Sequence, residues 1–146
     1  MTTTATLRPV HALADRFWQG FLERYPVTAT VLGDERYDDR LEDPSAEGRD
    51  DERRWLGSMI DEARSIDPDG LDQEDRITLD MLQVLGRIRL RAFEHRTYHF
   101  EAVDAMAGPH NIPGDIARFQ RVDRPEHFDG WCYGSGRSPP TSMRTA

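Results

Sequence analysis

Apolar residues recur at spacings of three and four through most of the first hundred residues, and this period constrains the fold more than any other feature. Such spacing places one apolar stripe along a helix. Pro9 fits the first turn of the first helix, Thr6 can cap it, and Pro26 ends it because the residue before a proline avoids the helical conformation. From Leu7 to Tyr25 we expect one stripe to lie in the core: Val10, Leu13, Ala14, Phe17, Trp18, Phe21 and Leu22.

The same period predicts a second helix, which begins after Ser45 and runs to about Ile66. The turn sequence DPDG at residues 67–70 ends it. Its apolar stripe also includes Trp55, Leu56, Met59, Ile60 and Ala63.

A third helix is predicted from Asp72, whose carboxylate can cap the first turn. Its continuation as far as Phe100 is left open. Its predicted core stripe consists of Ile77, Met81, Leu82, Leu85, Ile88 and Ala92, with Phe93 as a further candidate.

Two shorter segments follow the third helix. The segment 107–120 breaks the period with glycines and prolines, and it predicts a short helix across Ile112, Ile116 and Phe119. The segment 123–131 reads as another helix start, with Asp123 or Arg124 at the cap.

These lengths predict an all-α, antiparallel, bundle-like fold. At 1.5 Å per residue the third helix is a rod of roughly 40 Å, whereas the first is roughly 25 Å long. A bundle of such unequal rods leaves apolar ends uncovered. The uncovered ends indicate either self-association or packing against a missing C-terminal region.

The segment 24–41, RYPVTATVLGDERYDDRL, interrupts the helical pattern. Pro26 can open a single helical turn through Val31, and Gly33 can supply the left-handed residue that ends it. Asp34 can accept a hydrogen bond from the following turn. We therefore expect an ordered, irregular strap over about residues 26–44, with Tyr37 and Leu41 as its anchors.

The last fifteen residues, CYGSGRSPPTSMRTA at 132–146, differ in composition from the rest of the chain. They contain none of the 27 acidic residues, and nine of the fifteen are Gly, Pro, Ser or Thr. Such composition is typical of a disordered tail. It is also what a GC-rich gene encodes when it is read out of frame, and both interpretations stay open.

Bulk properties exclude several classes of protein. The net charge of −8 disfavours nucleic acids and anionic membranes as partners. A single Cys excludes an internal disulfide framework and a multi-Cys zinc site. No apolar run is long enough for a secretory signal or a membrane span, so the cytoplasm is the expected location.

Candidate chemistry is sparse. His95 and His99 are four residues apart, as paired zinc ligands on a helix often are, but Arg96 occupies the position where a zinc-peptidase motif needs Glu. A polar helix end explains these histidines better than a metal site does. The run RIRLR (87–91) is best explained by ion pairs with the second helix, through acids such as Asp61 or Glu62. We predict no catalytic, cofactor-binding or metal-binding residue and no cofactor in this chain.

An ordered series of short motifs over about residues 10–131 resembles the start of the bacterial domain-of-unknown-function family 885. The block EDRITLDML at 74–82 and the pair Gly108-Pro109 follow in the family's order. The first motifs of this series are Tyr25-Pro26, Thr28-Ala29-Thr30, Leu32-Gly33-Asp34 and Arg36-Tyr37-Asp38-Asp39-Arg40-Leu41.

The resemblance implies a relation to helical zinc metallopeptidases, whose His-Glu-x-x-His-type helix and downstream Glu lie far towards the C-terminus. No position here matches that motif, so zinc is implied only for full-length relatives. We therefore expect residues 7–131 to be the N-terminal helical region of such a protein, inactive alone, and residues 132–146 to be a disordered or out-of-frame tail. The alternative is a stand-alone helical interaction module.

Overall fold

A computed structural model describes residues 8–101, 104, 108–124 and 127. The described residues are all-α in class, as predicted. The predicted Thr6 cap, most of the helix start at 123–131 and the tail at 132–146 lie outside them. The α-helices of the described residues are α1 (Pro9–Arg24), α2 (Pro26–Val31), α3 (Ala46–Ser65), α4 (Gln73–Glu94), α5 (Tyr98–Glu101) and α6 (Ile112–Phe119). Short 3-10 helices in the same residues span Glu35–Tyr37, Pro68–Gly70 and Pro109–Asn111.

The long helices begin where local chemistry predicts. The Ser45 side chain accepts a hydrogen bond from the Gly48 backbone N–H at 3.0 Å, which caps α3. The Asp72 carboxylate caps α4 in the same way, accepting from the Asp75 N–H at 2.9 Å. Both caps satisfy backbone donors that a helix start leaves free.

The end of α4 differs from the extension considered above, because the helix stops at Glu94 and does not continue to Phe100. The Thr97 N–H donates to the Ala92 carbonyl at 3.0 Å, and the Arg96 N–H donates to the Phe93 carbonyl at 3.1 Å. Arg96 has a φ of 53°, in the left-handed region. This pair of bonds is a Schellman motif, which ends a helix even without glycine at the left-handed position.

The chain divides into two compact units, each assembled from two stretches of sequence. Unit 1 takes its described residues from Met1–Gly20 and Pro44–Tyr98. Unit 2 takes them from Phe21–Asp43 and His99–Ala146.

In unit 1, α3 and α4 form an antiparallel pair. Arg89, near the end of α4, bonds Glu52, near the start of α3, at 3.3 Å. At Gly86 the helices approach so closely that a Cβ atom would lie 2.7 Å from Ile60 Cγ1. The central buried cluster joins α1 to this pair and consists of Val10, Leu13, Ala63 and Leu79.

Two predicted core assignments in unit 1 are wrong. Trp18 was expected in the core, yet it is 46% exposed. On α4 most of the predicted stripe faces solvent, including Ile77 and Met81. The side of α4 that is buried carries Asp75, Leu79 and Gly86 instead. Two of these three residues are not large apolar residues, so a hydrophobic pattern does not reveal that face.

In unit 2, α2 packs against α6, with Ala29 and Ile116 buried. The predicted strap geometry is confirmed at its turn, where Gly33 has a φ of 85° and Asp34 Oδ1 accepts the Arg36 N–H at 3.2 Å. Leu41 is exposed, so it does not anchor the strap as predicted.

The other predicted anchor, Tyr37, is half-buried. The guanidinium groups of Arg36 and Arg40 lie 5.2 and 5.7 Å from its ring centroid. Such distances are those of cation–π contacts.

Candidate functional site

Among the described residues of unit 1, the outer face of α4 carries five of the six exposed large apolar side chains, and Trp18 is the sixth. The five residues on this face are spaced so that they lie on one side of the helix, opposite the side that packs against α3. They extend over about 17 Å of the helix axis. We name this surface the outer stripe, and its members, which are 43–58% exposed, are Ile77, Met81, Val84, Leu85 and Ile88.

Four charged residues border the outer stripe. Asp80 and Arg87 lie along one edge, while Glu74 and Arg91 lie at its two ends. All four are exposed. In the part of the chain that the structure describes, none of their side chains forms an ion pair.

Some other charges on unit 1 are paired within the unit. Arg16 of α1 bonds Glu62 of α3, and Arg89 bonds Glu52. The second contact confirms the predicted pairing with α3 for one arginine of the run, Arg89, but the partner is not one of the two acids expected. Asp61 instead lies 3.5 Å from Arg64 on its own helix.

A buried carboxylate connects the start of α1 to the start of α4. Asp75 is 2% exposed, and its Oδ1 atom lies 2.7 Å from His11 Nε2. Its Oδ2 atom accepts a hydrogen bond from Arg8 Nη1 at 2.9 Å. Both carboxylate oxygens of Asp75 therefore have partners, as a buried charge requires.

The cap residue Asp72 belongs to the same cluster, because Arg8 also bonds its carboxylate. The hydrogen bond from the Asp75 backbone, together with Arg8, lowers the pKa of Asp72. The bonds to Asp72 and Asp75 in turn raise the pKa of Arg8. This cluster attaches two helix starts that are 64 residues apart in sequence, which local reasoning could not predict.

Unit 2 contains a second polar cluster, around Asp38. Thr30 Oγ1 donates to Asp38 Oδ1 at 2.7 Å and lies 3.2 Å from the Pro26 carbonyl oxygen. Gln120 Nε2 donates to the Asp38 carbonyl at 3.2 Å. Burial raises the pKa of the Asp38 carboxyl, although the Thr30 hydrogen bond opposes this shift. Within the described residues, the buried Gln120 Oε1 accepts no hydrogen bond.

A third contact in unit 2 sets one imidazole between two acids. His127 Nε2 lies 3.4 Å from Glu35 Oε2, and its buried Nδ1 lies 3.0 Å from Asp123 Oδ1. The second contact is an ion-pair distance whose geometry does not form a hydrogen bond. His127 gave no signal in the sequence because Glu35 is distant in the chain.

The two histidines that suggested a metal site do not share a helix. His95 is the C-terminal cap of α4, and the left-handed Arg96 follows it. His99 belongs to the separate helix α5. Across the described ranges, no group of three or more His, Cys, Asp and Glu side chains is arranged to hold a metal ion.

Comparisons with known proteins bear on the chain as a whole. No curated protein and no solved structure matches it. Among the described residues, no helix combines the length and the apolar character needed to cross a membrane.

One protein family does match. The family model for a bacterial protein of unknown function (DUF885) matches residues 26–133 of the 146 in the chain. The match begins at Pro26, so about residues 10–25, which the resemblance also covered, lie outside it. It includes the strap, α3, α4 and the Gly108-Pro109 pair. Because the match covers well over half of the sequence, the chain belongs to the DUF885 family.

Proposed function

We propose that this chain is a truncated N-terminal helical segment of a zinc-metallopeptidase-like protein, without hydrolytic activity of its own, and that the outer stripe is its polypeptide-packing surface. Membership of the DUF885 family supports the first half of this proposal, through the resemblance of that family to helical zinc metallopeptidases. The outer stripe is the observation that carries the second half.

The argument from the outer stripe is energetic. Burying one side chain such as Ile88 or Met81 stabilises an assembly by roughly 1.5–3 kcal/mol. Five such side chains on one helix face form a contiguous apolar patch, which marks an interaction site on a soluble protein. A single surface helix normally carries polar residues opposite its core face. On α4 that position is apolar.

A stand-alone helical interaction module is the alternative, and the same surface favours it. The truncated segment and the stand-alone module have the same fold, but they predict different gene sequences. Family-like coding sequence in another reading frame after Trp131 would favour the truncated segment. An unbroken frame of constant length in independent isolates would favour the module.

The absence of hydrolysis is tested on the purified chain. We expect elemental analysis to show no stoichiometric zinc and a peptide library to remain uncleaved. One tightly bound zinc ion per chain, or zinc-dependent cleavage, would overturn the proposal. Substituting His95 and His99 together by Ala should leave the metal content unchanged.

The packing surface is tested with a dye that fluoresces on apolar surface. We expect Met81→Asp and Ile88→Asp to reduce dye binding by at least about half at submicromolar protein concentration, because each places a charge within the patch. Val122→Asp is the matched control, since Val122 is comparably exposed but lies outside the outer stripe. Equal dye binding by all variants would contradict the assignment.

A further inference from the structure

We infer that the occupant of the outer stripe is a second copy of this chain, whose α4 docks against the first in antiparallel orientation. The inference rests on the proposed role of the outer stripe as a polypeptide-packing surface. It adds the identity of the partner and the register of the contact.

The apolar spacing suits helix-to-helix pairing. Ile77, Met81, Val84 and Ile88 follow one another at intervals of four, three and four residues. This alternation is the a and d seam along which two helices interlock side chains. Leu85 widens the seam on the edge opposite Asp80 and Arg87, so the surface has one apolar edge and one charged edge.

In an antiparallel pair centred between Met81 and Val84, each apolar residue of the seam lies against an apolar residue of the other copy. Ile77 of one copy then lies against Ile88 of the other, and Met81 lies against Val84. The twofold symmetry repeats each layer, as a self-complementary interface requires.

The same alignment also pairs the four bordering charges. Glu74 and Arg91 are equally far from the centre, so Glu74 of one copy meets Arg91 of the other. Asp80 meets Arg87 along the charged edge, within about one helical turn. These four side chains form no ion pair in the described part of the chain, and in the dimer each of them gains an opposite charge as a neighbour.

A parallel pair does not have this property. It would place Glu74 against Glu74 and Arg91 against Arg91, and like charges in contact oppose association. The helix dipoles of α4 also favour the antiparallel arrangement, because opposite ends lie side by side. The dipole of α4 itself already favours Glu74 at the N-terminus and Arg91 at the C-terminus, so Asp80 and Arg87 along the charged edge are the charges that specifically favour a second copy.

The inference is tested by sedimentation of the full 146-residue chain over a range of protein concentrations. We expect a reversible dimer whose dissociation constant is on the order of micromolar, as is usual for a small interface. Asp80→Arg or Arg87→Asp alone should weaken the dimer at least about tenfold, because each turns two symmetric attractions into repulsions. The double variant Asp80→Arg with Arg87→Asp should restore the wild-type dissociation constant to within about threefold.

Asp69→Arg is the matched control, since it makes the same charge change at an exposed position away from α4. It should leave the dissociation constant unchanged. Circular dichroism at low concentration should show equal helix content for all variants, because every substituted side chain is exposed. A variant that fails this criterion is replaced by the corresponding Asp80→Asn or Arg87→Gln, for which we expect a smaller loss of the same sign.

Two results would overturn the inference. One is a chain that stays monomeric up to about 200 μM, roughly a hundredfold above the expected dissociation constant. The other is a dimer that the double charge swap fails to restore. A monomer that still loses dye binding on Met81→Asp would refute the second copy while leaving the proposed packing surface intact. A monomer with no such loss would refute both.

Discussion

Partial burial affects the protonation of Asp38. Its carboxylate accepts from Thr30, and its carbonyl accepts from Gln120. Burial still raises the pKa of Asp38, so these bonds do not fully replace water around the charge. The Thr30 hydroxyl can donate to only one acceptor at a time. When Asp38 is protonated, it can donate to Thr30, which can then donate to the Pro26 carbonyl.

The sign of the pH effect follows from that shift. A carboxyl whose pKa is raised in the folded state binds its proton more readily there than in the unfolded chain. Asp38 therefore reduces stability as pH rises from its ordinary pKa through its folded pKa, and the reduction persists at higher pH.

We predict that Asp38→Asn removes this effect. The free energy of unfolding of the variant, relative to wild type, should increase from about pH 3 to about pH 7. Thr30→Val should lower the free energy of unfolding by about 1–2 kcal/mol at neutral pH, because it leaves the Asp38 carboxylate without its donor. Urea titrations at several pH values measure both quantities. A relative stability of Asp38→Asn that falls with rising pH would contradict the assignment.

Two glycines on the α3–α4 pair provide a second prediction. Gly86→Ala places a Cβ atom 2.7 Å from Ile60 Cγ1, whereas Gly57→Ala meets no atom within 4 Å. Alanine favours the helix by roughly 0.5–1 kcal/mol in both cases. We expect Gly57→Ala to raise the melting temperature and Gly86→Ala to lower it, since overpacking costs about 1–3 kcal/mol. Equal shifts in calorimetry would show that the helices do not approach closely there.

At the scale of elements, the sequence predicts helix starts better than helix faces. The caps at Ser45 and Asp72 depend on residues three positions away, so local sequence determines them. The face of α4 depends on which side meets α3. Apolar residues occur on both sides of α4, and the buried side includes Asp75 and Gly86, which carry no hydrophobic signal.

The end of α4 illustrates the same limit and allows a prediction. Arg96 occupies a left-handed position that glycine adopts without steric penalty. We expect Arg96→Gly to raise the free energy of unfolding by about 1 kcal/mol. Arg91→Gly, in the last turn of the same helix, should lower it by a similar amount. Chemical denaturation of both variants checks this pair, and destabilisation by Arg96→Gly would count against the Schellman motif.

At the scale of the molecule, the net charge can be counted directly from the sequence. The net charge is −8, and many of the arginines are paired with acids on the protein's own surface. We expect no mobility shift of duplex DNA at about 150 mM salt, because binding to phosphates requires free basic groups. Micromolar binding that weakens with salt would contradict this prediction.

The candidate site shows what the sequence could not supply. Four of the five members of the outer stripe were predicted from the sequence, but as core residues, and Val84 was not predicted at all. A periodic pattern shows that a helix has an apolar face, but it does not show what covers that face. The polar clusters were missed for another reason, since His11 and Asp75 meet only after the chain has folded.

The division of unit 1 between two stretches of sequence also has a consequence for biosynthesis. The first part of α1 leaves the ribosome before α3 and α4, and residues 21–94 take roughly 4–15 s to translate at roughly 5–20 residues per second. Within that interval, Val10 and Leu13 lack their full set of packing partners until Leu79 has been synthesised. The first part of α1 is therefore accessible to chaperones and proteases during most of the time in which α3 and α4 are made.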